Sequence, residues 1–197
     1  DESFYTSISK IEARNTVAED FGWDIPLFNN WFLIMTGSMG FGNTQEIIDE
    51  TIRQSLDGTE VIAVCGRNEE MLNRLKEENR YLPNIHPVGF TDRIPLLMDA
   101  CDVLFTKPGG ISSTEAMSKH IPMIHTAPIP GCETRNAEFF HYHGMSYSCI
   151  DTVQQVKTAL RLCEDMEYRK TMTGAQQFNA KPDTCHDIYA LFRDRAS

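Results

Sequence analysis

Two stretches carry the residue types best suited to chemistry: Lys107-Pro-Gly-Gly-Ile-Ser-Ser-Thr-Glu115 and, further on, Pro128-Ile-Pro-Gly-Cys-Glu-Thr-Arg-Asn136. The apolar run Val103-Leu-Phe-Thr106 precedes the first, and a helix-like segment follows it. A strand, a glycine pair and a helix start leave backbone N–H groups without partners, ready for an anion. Gly109 and Gly110 let a phosphate approach the backbone, and Ser112, Ser113 and Thr114 add hydroxyl donors. Lys107 supplies a cation beside them. A solvated Lys107 and an ordinary serine cap would explain each residue singly, but donors and cation converge on one short loop. Glu115, one turn into the helix beyond Ile111, cannot serve the same anion. Its two oxygens match the cis-diol of a ribose. A favourable dipole interaction near a helix N-terminus explains it equally well. The stretch reads as a nucleoside-diphosphate site.

Other loops share this chemistry more weakly. Gly37-Ser-Met-Gly-Phe-Gly42 follows an apolar run, but its spacing is not G-x-G-x-x-G, and a tight turn is an equal reading. Val64-Cys-Gly-Arg67 places Arg67 where a dinucleotide fold carries an acidic residue for the ribose. No G-x-x-x-x-G-K-[ST] is present. In Gly89-Phe-Thr91, Phe90 either covers a base while the backbone reads its edge, or packs in the core, the commoner fate of phenylalanine. Glu133 and Asn136, three apart, share a helix face that suits either sugar hydroxyls or a capping network.

A chain of 197 residues, 41% hydrophobic and 23% charged, is the size and composition of one soluble globular domain. A net charge of −10 argues against a nucleic-acid partner and against this piece holding an anionic membrane. The longest apolar run, Trp31-Phe-Leu-Ile-Met35, has strand length and cannot span a bilayer. The start at Asp1-Glu2, without Met or signal peptide, suggests a fragment of something longer. Six cysteines without a C-x-x-C read as buried free thiols in a reducing compartment. The six histidines make no ligand-spaced cluster, so no metal is expected, and satisfied or solvated histidines are the default.

The elements that must position these loops alternate along the chain. Apolar runs predict strands over 31–36, 60–65, 84–88, 102–106, 122–126 and 146–150. Helices are predicted over 8–21 (amphipathic), 44–56 (capped by Thr44), 68–81 (capped by Asn68), 92–100, 111–119 and 134–143. A further one starts at the Asp151 cap, and two more cover 168–178 and 183–195. Strands that are uniformly apolar are covered on both faces, which predicts an α/β fold with a parallel, doubly wound sheet of six strands. The glycine turns fall at the carboxyl ends of those strands, where ligands bind.

Taken in order, Met35-Thr-Gly-Ser-Met-Gly-Phe-Gly42, Val64-Cys-Gly-Arg-Asn68, Val88-Gly-Phe-Thr-Asp92, Thr106-Lys-Pro-Gly-Gly-Ile-Ser-Ser-Thr-Glu-Ala116 and Pro128-Ile-Pro-Gly-Cys-Glu-Thr-Arg-Asn-Ala137 resemble the monogalactosyldiacylglycerol synthase and processive diacylglycerol glucosyltransferase family. The chain is more distantly similar to the bacterial enzyme that adds N-acetylglucosamine to lipid I. The resemblance spans residues 30–145. It implies a GT-B fold, two Rossmann-like halves with the active site between them. Residues 1–197 would form the C-terminal donor domain, with the N-terminal acceptor domain absent from this chain. By resemblance, Gly89, Phe90 and Thr91 lie at the uracil of a UDP-sugar, and Glu115 takes the ribose hydroxyls. Gly109, Gly110, Ile111, Ser112 and Ser113 hold the diphosphate, and Glu133 and Asn136 lie at the sugar. Gly37, Ser38 and Gly40 close the cleft near the phosphates, and Arg67 and Lys107 complete the donor-binding set.

The implied reaction moves a hexose from a UDP-sugar to a lipid hydroxyl, such as that of diacylglycerol. A helix N-terminus, amides and Lys107 would stabilise the leaving UDP in place of a metal, so no cofactor is expected. The family carries its general base, acceptor site and membrane surface in the N-terminal half. This chain is therefore expected to bind donor without being competent alone, and the full-length protein to be cytoplasmic and peripheral to the membrane. Cys132 stands where the family commonly has a sugar-contacting Gln, which leaves the donor sugar open. Alternative readings are the donor subunit of a split two-chain glycosyltransferase, a UDP-sugar epimerase half and, distantly, a dehydrogenase.

Overall fold

Six parallel strands form one sheet in the order β3-β2-β1-β4-β5-β6. They are β1 (Asn30–Met35), β2 (Thr59–Gly66), β3 (Ile85–Gly89), β4 (Val103–Thr106), β5 (Met123–His125) and β6 (Tyr147–Ser148). The computed structural model describes residues 2–36, 43–55 and 58–180. The predicted helix over 183–195, Cys185, His186 and the glycine loop with Gly37, Ser38 and Gly40 lie outside the described residues.

Alternate side chains along each strand feed two cores. Trp31, Leu33, Ile62 and Leu104 face one, while Phe32, Ile34, Val61, Ala63 and Phe105 face the other. On the first face lie α1 (Lys10–Phe21), α4 (Ile94–Ala100), α5 (Gly110–Ser118) and α6 (Cys132–Tyr142). The second is covered by α2 (Thr44–Ser55), α3 (Glu69–Glu78) and α7 (Thr152–Glu164). The final described helix, α8 (Met166–Asn179), reaches both cores, through Ala175 and Met172 respectively. Coverage on both sides explains why the strands are apolar throughout.

The helix ends show where local chemistry overrides pattern. The first helix starts at Lys10, not at residue 8, because the Ser9 side chain accepts from the Glu12 N–H and caps it. Ile8 and Ile11 are consequently exposed, and the helix buries Ala13, Arg14 and Val17 instead. Thr44 is the first helical residue rather than a cap. Its hydroxyl pairs with that of Thr36 at 2.6 Å. Asn68 and Asp151 do cap as expected, accepting from the N–H groups of Met71 and Val153. Thr91 Oγ1 accepts from the Arg93 N–H, which holds a turn and delays α4 to Ile94. The last strand is only two residues long.

Only Cys65 and Cys101 of the described cysteines are buried; Cys132 is exposed, and Cys149 and Cys163 are half-buried. All five are free thiols. Among the described residues, no helix is long and apolar enough to cross a membrane.

Candidate functional site

The strand order reverses between β1 and β4, and β4 delivers the chain to this switch point. Thr106 Oγ1 donates to the Met35 carbonyl at 3.0 Å, so the two strand ends are joined where the sheet opens. The chain then crosses Lys107, Pro108 and Gly109 into α5. Gly109 is extended at the N-cap, and no side chain caps the helix. Its own N–H is taken by the Lys107 carbonyl, and Gly109 in turn accepts from the Ser113 N–H at 3.1 Å. The N–H groups of Gly110, Ile111 and Ser112 precede any intrahelical acceptor. Three donors thus stand together at the positive end of the helix. A Cβ added at Gly109 would meet nothing within 4 Å, so the space above the turn is open.

The hydroxyls divide. Ser112 Oγ has no protein partner among the described residues. Thr114 Oγ1 donates back to the carbonyls of Gly110 and Ile111 at 2.8 and 2.9 Å. Ser113 is fully buried, with its hydroxyl 3.0 Å from His125 Nε2. Ser113 therefore does not donate its hydroxyl to an anion, because at this point of the helix the side chain turns into the sheet. Glu115 is half-buried and accepts no hydrogen bond among the described residues, and burial pushes its carboxyl above the usual value. A desolvated carboxylate without a donor is costly. A hydroxyl donating to it would recover that cost.

Phe90 is 69% exposed, so it is not the core phenylalanine that composition favours. The Arg67 guanidinium stacks on its ring at 4.9 Å, from the end of the neighbouring strand. Together they form a flat shelf on the carboxyl edge of the sheet. Gly89 packs closely beneath it: a Cβ there would lie 3.2 Å from the Leu72 side chain of α3, a tight contact that Leu72 would have to yield to.

The second motif opens α6. Glu133 accepts from the Ile129 N–H at 2.6 Å and so closes its own loop, the capping arrangement. Asn136 reaches across to the first motif, donating from Nδ2 to the Pro108 carbonyl at 2.9 Å. Both residues are thereby committed in part to structure, with one Glu133 oxygen and the Asn136 carbonyl left over. A cavity of about 590 Å³ opens alongside, lined by Lys107, the 126–130 loop, Ile150, Asn43 and Glu46. That volume is within the range of small-molecule sites. Sequence reasoning missed Asn43 and Glu46. The signal was their position, directly after the 37–42 glycine loop at the start of α2. Among the described residues, no cluster of three or more His, Cys, Asp or Glu could hold a metal ion.

The arrangement can bind an extended, doubly charged ligand: anion at the start of α5, hydroxyls at Glu115, and a flat ring against Phe90. No protein-family model matches the chain. It is 29% identical over 133 residues to the processive diacylglycerol β-glucosyltransferase of Staphylococcus carnosus, covering 68% of this chain and 34% of that protein. It is 37% identical over 116 residues to the Bacillus subtilis enzyme of the same name, covering 57% and 29%. The chain thus spans about a third of the length of the curated relatives it matches. Among solved structures, Anabaena Alr3699/HepE in complex with UDP and glucose superposes with a TM-score of 0.70 at 19% identity, over 91% of this chain and 50% of that one. Acinetobacter baumannii MurG gives 0.72 at 15% identity, over 96% and 54%. The chain is a homologue of the processive diacylglycerol β-glucosyltransferases and has the Rossmann-like fold of one half of a GT-B glycosyltransferase.

Proposed function

We propose that residues 1–197 are the donor-binding, C-terminal domain of a glycosyltransferase that moves a hexose from a UDP-sugar to a lipid hydroxyl such as that of diacylglycerol. The uncapped start of α5 carries this reading, with its three unpartnered N–H groups and Glu115 one turn beyond. The names of the curated relatives and the UDP held by structural neighbours of the same fold support it.

In this reading the diphosphate rests on the amides of Gly110, Ile111 and Ser112, with Ser112 Oγ and Lys107 beside it. As the glycosidic bond breaks, negative charge grows on the departing β-phosphate. Preorganised amides at a helix N-terminus stabilise that charge without reorganising, the task a metal performs elsewhere. Glu115 takes the ribose hydroxyls and the Arg67–Phe90 shelf takes the uracil. The sugar lies toward the cavity at Lys107 and the 126–130 loop, near the spare polar atoms of Glu133 and Asn136. An acceptor domain supplies the general base, the lipid and the contact with the membrane surface.

Glycosyl transfer from UDP-glucose to diacylglycerol in vesicles tests this, measured with the chain alone and with the chain joined to an acceptor half from a curated relative. Transfer only by the joined protein supports the proposal. Robust transfer by the chain alone contradicts the assignment of the base to another domain.

A further inference from the structure

We propose that His125 is a positioning residue for the anion-binding turn: its buried imidazole ties α5 to β5 and β6 and so sets where the N–H groups of Gly110, Ile111 and Ser112 stand. The inference rests on the donor-binding reading above.

His125 ends β5 and is wholly inaccessible to solvent. Nε2 lies 3.0 Å from Ser113 Oγ. Nδ1 lies 3.1 Å from Ser146 Oγ and 3.4 Å from Ser148 Oγ. The Phe140 ring, edge-on at 5.6 Å, closes another side. One ring therefore joins a helix, a strand and the segment leading into a second strand. Core filling alone does not call for it: Met123 and Ile124, its neighbours on β5, are fully buried and apolar, and an aliphatic residue would extend that core. What the imidazole adds is direction. Burial, with a lesser contribution from His141, lowers its pKa to about 4, so the ring is neutral near pH 7. A neutral imidazole offers one donor and one acceptor, and serine hydroxyls rotate to match either.

Ser113 directly follows the last of the three unpartnered amides. The turn has no side-chain cap, and Asn136 holds only the Pro108 end of the loop. The His125–Ser113 bond is thus a buried polar tie from the helix start to the sheet, and small displacements of a binding group cost heavily in affinity and rate.

The test uses the 197-residue chain with His125→Leu, Ser113→Ala, the two combined, and His125→Gln, titrated with UDP in a calorimeter. Hydrogen exchange is followed on the unliganded forms. His125→Leu and Ser113→Ala are each expected to weaken UDP binding about tenfold, the double variant no further than either alone. His125→Gln, which keeps a donor and an acceptor, stays within about threefold of the parent. Exchange of the amides over 113–118 quickens in both single variants while β1 and β2 are unchanged. If His125→Leu does not fold, Ser113→Ala carries both readouts. Parental affinity with unchanged exchange in Ser113→Ala overturns the proposal, as do additive losses in the double variant. If no form binds UDP, the donor-binding reading fails, and the exchange data alone decide whether His125 holds the turn.

Discussion

Asn136 Nδ2 donates to the Pro108 carbonyl at 2.9 Å, so the second motif physically holds the first. The two stretches with the most suggestive chemistry are one structure. This gives Asn136 a role that does not require a sugar. Asn136→Ala is expected to weaken binding of UDP itself, which lacks the transferred hexose, by about 0.5–1.5 kcal/mol, the worth of one hydrogen bond. Calorimetry with UDP measures it. Parental affinity for UDP with weaker binding of UDP-glucose alone would return Asn136 to a purely sugar-contacting role.

Glu115 ties affinity to pH. Burial raises its carboxyl pKa, so the free protein favours the protonated form more than an exposed glutamate would. Ionised Glu115 is the form that accepts ribose hydroxyls. UDP affinity should therefore fall as pH drops through the raised pKa, beginning above the range of an ordinary glutamate. Glu115→Gln should lose about 1–3 kcal/mol at pH 7 and flatten this dependence. The UDP phosphate also titrates, near 6 as phosphates do, so the quantity to read is the difference between parent and variant. A constant difference across pH argues against the ribose role.

Phe90 separates base recognition from phosphate recognition. With the ring 69% exposed, Phe90→Ala should change folding stability by less than about 0.5 kcal/mol. Binding of UDP should weaken by about 1–3 kcal/mol, the worth of stacking one base on an aromatic ring. Inorganic pyrophosphate, which has no base, should bind equally to both forms. Equal UDP affinity would remove the base from the Arg67–Phe90 shelf.

Asp102 anchors the far end of the sheet. Its carboxylate meets Lys10 at 2.5 Å and Arg14 at 2.6 Å, and accepts from the Trp31 N–H at 2.8 Å. Burial alone would push its pKa up, but Lys10 and Arg14 outweigh it and hold the group below the usual range. A depressed carboxylate adds stability above its unfolded pKa, and that stability is lost as pH falls through the folded one. The window therefore lies below about pH 4. Asp102→Asn leaves the buried Arg14 guanidinium without its counter-ion and should cost about 3–5 kcal/mol at pH 7. Urea melts should show the variant losing less than the parent on acidification. Parallel pH profiles would contradict this.

Much of the fold is legible in the sequence because burial on both faces leaves strands such as Val103–Thr106 apolar throughout, a pattern that needs no tertiary knowledge. The loop chemistry at Gly109 and Gly110 is legible because it is local, with glycines, hydroxyls and a cation within a few residues. Longer-range pairings are not. Nothing local tells Ser112 from Ser113, yet a helix turns one to solvent and the other toward His125, 12 residues away. Phe90 is opaque for the same reason. Phenylalanine is commonly core, and only the packing around β3 leaves this one outside under Arg67. Ile8 and Ile11 mislead because the Ser9 cap, rather than apolar spacing, sets where α1 begins.

Titration of the 197-residue chain with UDP, UMP and NAD in a calorimeter tests the central claim most directly. A nucleoside-diphosphate site built on the start of α5 predicts saturable binding of one UDP per chain. UMP, lacking the second phosphate, should bind at least about tenfold more weakly, the loss of one or two charge-assisted hydrogen bonds, and NAD should not compete. Absence of UDP binding, or binding of NAD as tight as that of UDP, would contradict it.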